Sequence, residues 1–186
     1  MFALFAEKIT NRLLITKVIE KDDREIYQFG IEQFLISILH VISVFVIGCV
    51  FHQLGKLVLF TMAFMWLRSY AGGYHASTSK RCYILTISIM IIVLSVMQYF
   101  EKNIVICIGC FCGALCIIFL FSPVEAKTKK LDRVEEKVYR KKVYAICGVE
   151  AVCAVFLLLI GLKDWAVIIM MAHIVIAISL IFGKCI

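Results

Sequence analysis

Six apolar stretches separated by short polar breaks set the pattern of this chain, over residues 31–51, 55–67, 83–100, 104–121, 143–162 and 165–182. A helix rises about 1.5 Å per residue, so ~20 residues cross the hydrocarbon core of a bilayer. Five of the six approach that length. The second is short unless it continues through Arg68-Ser69-Tyr70-Ala71; it either crosses with its end snorkelling to the interface or is re-entrant. Ahead of them, Phe2, Phe5, Ala6, Ile9 and Leu13 recur at helical spacing, with Glu7, Lys8, Asn11 and Arg12 between. This predicts an amphipathic N-terminal segment over 1–30, either packed as an ordinary helix or lying in the interface plane. Those charges also interrupt the first apolar run before a signal-peptide core forms. The expected fold is an all-α membrane protein of about six transmembrane helices, one domain over 1–186.

Charge placement orients these helices. Lys and Arg total 20 and the net charge is +7, which would suit nucleic acid if the charges were not set beside apolar spans. Assigned to alternate sides, seventeen basic residues fall on one side and three (Lys56, Lys102, Lys163) on the other. Basic loops stay in the cytoplasm. Both termini, the 68–82 loop and the 122–142 loop are therefore expected inside, where anionic lipid is the expected partner. The 122–142 loop opens with Ser122-Pro123, which does not readily continue a helix. Its later half, Asp132 to Lys142, mixes both charges and is expected to be helical. The loop is either a solvated topology signal or a basic dock for an acidic peptide, with Lys127, Lys129 and Lys130 at its centre.

Hydrophobic residues make up 63% of the chain, and nine are cysteines. Most of these sit inside apolar runs, where cysteine acts as a small hydrophobe, and all nine are expected reduced. Cys107, Cys110, Cys112 and Cys116 look like a metal run. At 100° per residue they form two pairs on opposite sides of one helix, which cannot surround one ion tetrahedrally. No metal and no cofactor are expected.

The chemistry concentrates in Arg68-Ser-Tyr-Ala-Gly-Gly-Tyr-His-Ala-Ser-Thr-Ser-Lys-Arg-Cys82. A thiol and an imidazole suffice for covalent acyl chemistry. On one continuous helix His75 and Cys82 would be separated by ~10.5 Å along the axis, beyond the reach a base needs. Gly72-Gly73 breaks the preceding helix, and Ser77, Thr78 and Ser79 favour turns and N-caps. The chain is expected to turn at the glycines and re-enter as a helix capped near Ser79. Cys82 then lies in its first turn, where the helix dipole favours a thiolate. Arg68 and backbone N–H groups near Gly72 and Gly73 could hold a substrate carboxylate or an oxyanion. Each feature also has a plain reading: a membrane-edge Arg is usually a topology anchor, Gly-Gly a turn, and a lone His or Cys incidental.

As a set, these residues resemble the accessory gene regulator protein B (AgrB) family, membrane cysteine endopeptidases that mature peptide pheromones in Gram-positive bacteria. The resemblance rests on Arg68, the Gly72-Gly73-Tyr74-His75-Ala76 core and Cys82. Tyr27-Gln-Phe-Gly-Ile-Glu32 and Ser122-Pro-Val-Glu-Ala-Lys127 add weaker matches. It implies His75 and Cys82 as the catalytic pair. It also implies a short AgrD-like propeptide as substrate, with an amphipathic leader and an acidic tail. Cleavage before the tail through an acyl-enzyme thioester would let a substrate Cys or Ser close a thiolactone or lactone, giving a cyclic quorum-sensing peptide. Glu32, near the start of the first span, could orient His75, and Glu125 is a weaker candidate. A homodimer is the first expectation for assembly.

Two other classes compete. Glu150 and His173 lie inside apolar spans, where ionisable groups raise a functional hypothesis; with His40 they could serve a small proton-coupled transporter. The plainer reading is a buried bond between helices. A membrane scaffold without catalysis is the third reading.

Overall fold

A computed structural model describes residues 2–73, 78–124 and 132–185. The segment 74–77, with His75, and the segment 125–131, with Glu125, Lys127, Lys129 and Lys130, lie outside the described residues. Among the described residues there are seven helices and no strand: α1 Phe2–Ile15, α2 Arg24–Val50, α3 Leu54–Ala71, α4 Ser79–Lys102, α5 Ile104–Phe121, α6 Arg133–Leu159 and α7 Lys163–Cys185. The six apolar stretches correspond one to one with α2–α7. By length and composition α2, α4, α5, α6 and α7 can each cross a membrane. The chain is thus an all-helical, multi-pass membrane protein.

The exception is α3. It continues through Arg68 to Ala71, reaching 18 residues, roughly 27 Å at the usual rise. Lys56 in its first turn and Arg68 in its last reduce its apolar character. Its core-facing stripe is Leu57, Phe60, Ala63, Leu67 and Ala71, spaced as one helix face requires.

The chain forms two compact units, Met1–Val46 and Ile47–Ile186. In the first, α1 buries Ala6 and Thr10 while Leu4, Phe5 and Ile15 stay exposed. Arg24, at the start of α2, reaches back to α1, with Nη2 3.5 Å from Glu7 Oε1 and 3.3 Å from Asn11 Oδ1. The amphipathic segment is therefore shorter than 1–30, because residues 24–30 already belong to α2.

In the second unit α7 is the central helix, packed by α3, α4, α5 and α6. Its buried run from Ala166 to His173, followed by Ile176, Ala177 and Leu180, covers most of its circumference. Around it lie Cys107, Phe111, Ala114 and Ile118 of α5 and Val143, Ile146, Cys147, Glu150 and Ala154 of α6. Each set repeats every three or four residues, so each helix turns one stripe inward.

Two boundaries differ from expectation. The helix expected over Asp132–Lys142 is not a separate loop element: α6 runs unbroken from Arg133 to Leu159. Asp132 and Glu135 form a capping box that satisfies its first N–H groups, and no breaker follows to stop it. The cap of α4 is Thr78 rather than Ser79; its side chain accepts from Arg81 N at 3.3 Å. Thr78 already has the extended backbone that an N-cap needs.

Candidate functional site

The candidate site lies where α3 ends and α4 begins. Gly72 closes α3 with its N–H donating to Arg68 O. Its φ is +74° and that of Gly73 is +123°, values that side-chain-bearing residues rarely adopt. Space makes the same demand. A Cβ on Gly72 would run into the carbonyl oxygen of Val124. Val124 lies beside Gly72 because its N–H donates to Ala71 O at 2.9 Å, forming an isolated parallel bridge. The segment after α5 is thereby fastened to the glycine turn.

Arg68 is fixed from two sides. Its Nη1 donates to Ser179 Oγ on α7 at 2.8 Å, and its guanidinium carbon lies 5.5 Å from the Phe64 ring centroid. Burial opposes its charge, and a thiolate at Cys82 would support it, so the two groups lie within electrostatic reach. Ser179 also faces Gly73: a Cβ there would come within 2.7 Å of Ser179 Oγ. The structure therefore joins Arg68, Gly73 and Ser179 and brings Cys82 into range of Arg68. Ser179 escapes sequence reasoning because it is 111 residues from Arg68 and looks like an isolated hydroxyl in an apolar run.

Cys82 is the fourth residue of α4, and its N–H donates to Thr78 O at 3.0 Å. Its side chain is half-buried. The buried residues of α4 are Met90, Val93, Leu94 and Met97, all in its second half. The first turns, including Cys82, are thus lightly covered, which leaves the thiol approachable. His75 lies outside the described residues. The helix break needed to bring it toward Cys82 is present, since α3 stops at Ala71 and α4 starts at Ser79.

Basic and aromatic side chains gather at the same end of the helices. Lys142 Nζ lies 4.6 Å from the Tyr70 ring centroid, and Tyr70 meets Tyr139 edge-on at 5.9 Å. Lys184 Nζ lies 4.3 Å from the Phe121 ring centroid. Glu32 belongs to the N-terminal unit, on α2.

The rival constellations resolve differently. Cys107 is buried with Sγ 3.8 Å from Met170 Sδ, whereas Cys110, Cys112 and Cys116 are exposed. The run faces several directions, and no metal-ligating group of three occurs among the described residues. Glu150 and His173 meet between α6 and α7, with His173 Nε2 3.4 Å from Glu150 Oε2. That contact is at ion-pair distance but lacks hydrogen-bond geometry. His173 Nδ1 lies 3.1 Å from Ile169 O, which requires an Nδ1–H, since a carbonyl only accepts. The ring meets Phe111 edge-on at 5.0 Å. His173 is fully buried and Glu150 nearly so.

These features define a polytopic membrane protein with an Arg–Gly–Gly turn and an accessible cysteine at one end of its helices. The profile of the family "Accessory gene regulator B" matches residues 5–182, and the chain belongs to that family. It is 31% identical over 146 residues to an AgrB-like protein of Clostridium perfringens (strain SM101), covering 75% of this chain and 66% of that protein. It is 32% identical over 133 residues to an AgrB-like protein of Listeria innocua, covering 70% and 64%. The match to an AgrB-like protein of Listeria welshimeri is 32% over 128 residues, covering 67% and 62%. The chain thus spans just under two thirds of these relatives' length. No solved structure matches it.

Proposed function

We propose that this protein is a membrane-embedded cysteine endopeptidase that removes the C-terminal tail of a short AgrD-like propeptide and cyclises what remains. The observation that supports this most is the setting of Cys82. It sits, half-buried, in the opening turns of α4, within electrostatic reach of Arg68 in the last turn of α3.

In this reading the Cys82 thiolate attacks the carbonyl before the tail. Arg68 and backbone N–H groups near Gly72 and Gly73 offset the charge on the carbonyl oxygen. The C–N bond breaks, His75 passes a proton to the leaving amine, and the tail departs. A thiol or hydroxyl within the substrate then attacks the thioester, returning Cys82 and closing a thiolactone or lactone. Thioester exchange needs no external energy source, provided water is excluded. Glu32 would orient His75, and Lys127, Lys129 and Lys130 would hold the acidic tail. The site faces the cytoplasm in this scheme, with anionic lipid around it and a homodimer as the working assembly.

The test uses membranes carrying the full chain and a synthetic propeptide with an amphipathic leader, an internal Cys and an acidic tail. Tail release together with a transient covalent leader–enzyme adduct is the expected result. Release that survives Cys82→Ala sinks the proposal.

A further inference from the structure

Arg68 does not reach its place unaided. Its side chain leaves the last turn of α3, which could direct it out to water, as arginines at helix ends commonly do. Instead Nη1 donates to Ser179 Oγ at 2.8 Å. The same oxygen stands 2.7 Å from where a Gly73 Cβ would be, and Arg68 Nη1 stands 3.5 Å from that point. Three residues from α3, the glycine turn and the central helix α7 thus close on one another. The Phe64 face limits the guanidinium on another side. A hydrogen bond to a charged donor is short and directional, so it selects one rotamer of a long side chain that otherwise has many.

We infer that Ser179 is a positioning residue: from α7 it holds the Arg68 guanidinium over Gly73. Gly73 is glycine in part for this reason, because a side chain there would displace the hydroxyl that Arg68 binds. The inference rests on the proposed endopeptidase reading and adds to it a residue outside the Arg68–Cys82 segment. It concerns the negatively charged oxygen that forms as the scissile carbonyl is attacked, since that is where a cation fixed beside the cysteine acts most strongly. Loss of the anchor then affects the transition state more than ground-state binding.

The test compares Ser179→Ala, Ser179→Thr and Cys82→Ala in membranes at equal inserted amounts. Ser179→Ala is expected to lower kcat about tenfold with KM within twofold of wild type, a pattern of lost transition-state stabilisation. Ser179→Thr, which keeps the hydroxyl, is expected to recover most of that loss. Two outcomes overturn the inference while leaving the site reading intact: Cys82→Ala is inactive but Ser179→Ala turns over as wild type, or Ser179→Ala and Ser179→Thr both fail to insert. Cleavage by Cys82→Ala instead removes the endopeptidase reading on which the inference stands.

Discussion

Two places in the second unit set polar side chains among apolar helices, and they differ in every respect that matters for chemistry. At the end of α3, Arg68 lies beside the Gly72-Gly73 turn and within electrostatic reach of a half-buried cysteine in the lightly covered first turn of α4. In mid-span, Glu150 and His173 face each other between α6 and α7, closed in by Phe111 and by the helices' own stripes. The rim site combines a glycine turn at positive φ, a fixed cation and an approachable thiol. The mid-span pair holds two buried groups at ion-pair distance without hydrogen-bond geometry, and the ring's Nδ1–H is committed to Ile169 O. A substrate peptide is an extended, polar object, and it can reach the former far more readily than the latter. The contrast teaches that an intramembrane ionisable pair marks function only when something can reach it.

The sharpest way to break this contrast is at the cysteines. Cys82→Ala is expected to reduce tail release by more than about a thousandfold, since it removes the proposed nucleophile. Replacing Cys107, Cys110, Cys112 and Cys116 with Ala one at a time should leave release within a few-fold; peptide mass analysis of the products measures both. Comparable losses from the α5 substitutions would erase the distinction. Next in size is Gly72→Ala. The added Cβ meets the Val124 carbonyl oxygen and the φ is left-handed, so the turn must shift. Small displacements near reacting groups cost about a hundredfold. Gly109→Ala, where nothing lies within 4 Å of the new Cβ, is the matched control and should be near neutral.

The two regions were not equally legible in the sequence. The helices were, because apolar length and the breaks at Gly72-Gly73 and Ser122-Pro123 are local properties of the chain. Cys82 and Arg68 could be picked out for the same reason: they flank a local break with residue types suited to acyl transfer. Ser179 could not, because its role exists only through the packing of α7 on α3. The length of α6 was also hidden. The charged run Asp132–Lys142 reads as a helix within a loop, separate from the following span, yet good helix formers behind an Asp132–Glu135 capping box propagate straight into that span. Glu150 and His173 were visible as ionisable residues, but their mutual contact was not, since 23 positions separate them and only the α6–α7 packing brings them together.

The mid-span pair supplies a prediction of moderate size. Glu150→Ala strands His173 Nε2 in the apolar interior and is expected to destabilise the protein by roughly 1–2 kcal/mol, near the upper range for intramembrane polar pairs. Such pairs are worth less than their counterparts in soluble cores because the membrane-inserted unfolded state also finds partners. Thermal aggregation of detergent-solubilised protein should report the loss. Tail release per folded molecule should stay within about twofold of wild type. A variant that keeps full stability but loses proton-dependent uptake in vesicles would revive the carrier reading and dissolve the contrast.

The smallest effect tests how far the rim site extends. Eight basic residues lie between 127 and 142, opposed by Asp132, Glu135 and Glu136, and Glu136 already pairs with Arg140 at 2.8 Å. The α6 portion of this charge is thus partly neutralised within its own helix, and the test falls on Lys127, Lys129 and Lys130, which precede it in the sequence. Exposed charges attract weakly and are screened over about 8 Å at physiological salt. Replacing all three lysines with Gln is therefore expected to raise KM for an acidic-tailed propeptide about three- to tenfold at low salt, with kcat nearly unchanged. The defect should shrink as salt is added, because the wild-type protein loses the same attraction. A propeptide whose tail acids are replaced by amides should show no difference between the two proteins. Equal KM values for the acidic substrate at low salt would confine recognition to the Arg68–Cys82 turn and reduce the basic segment to a topology signal.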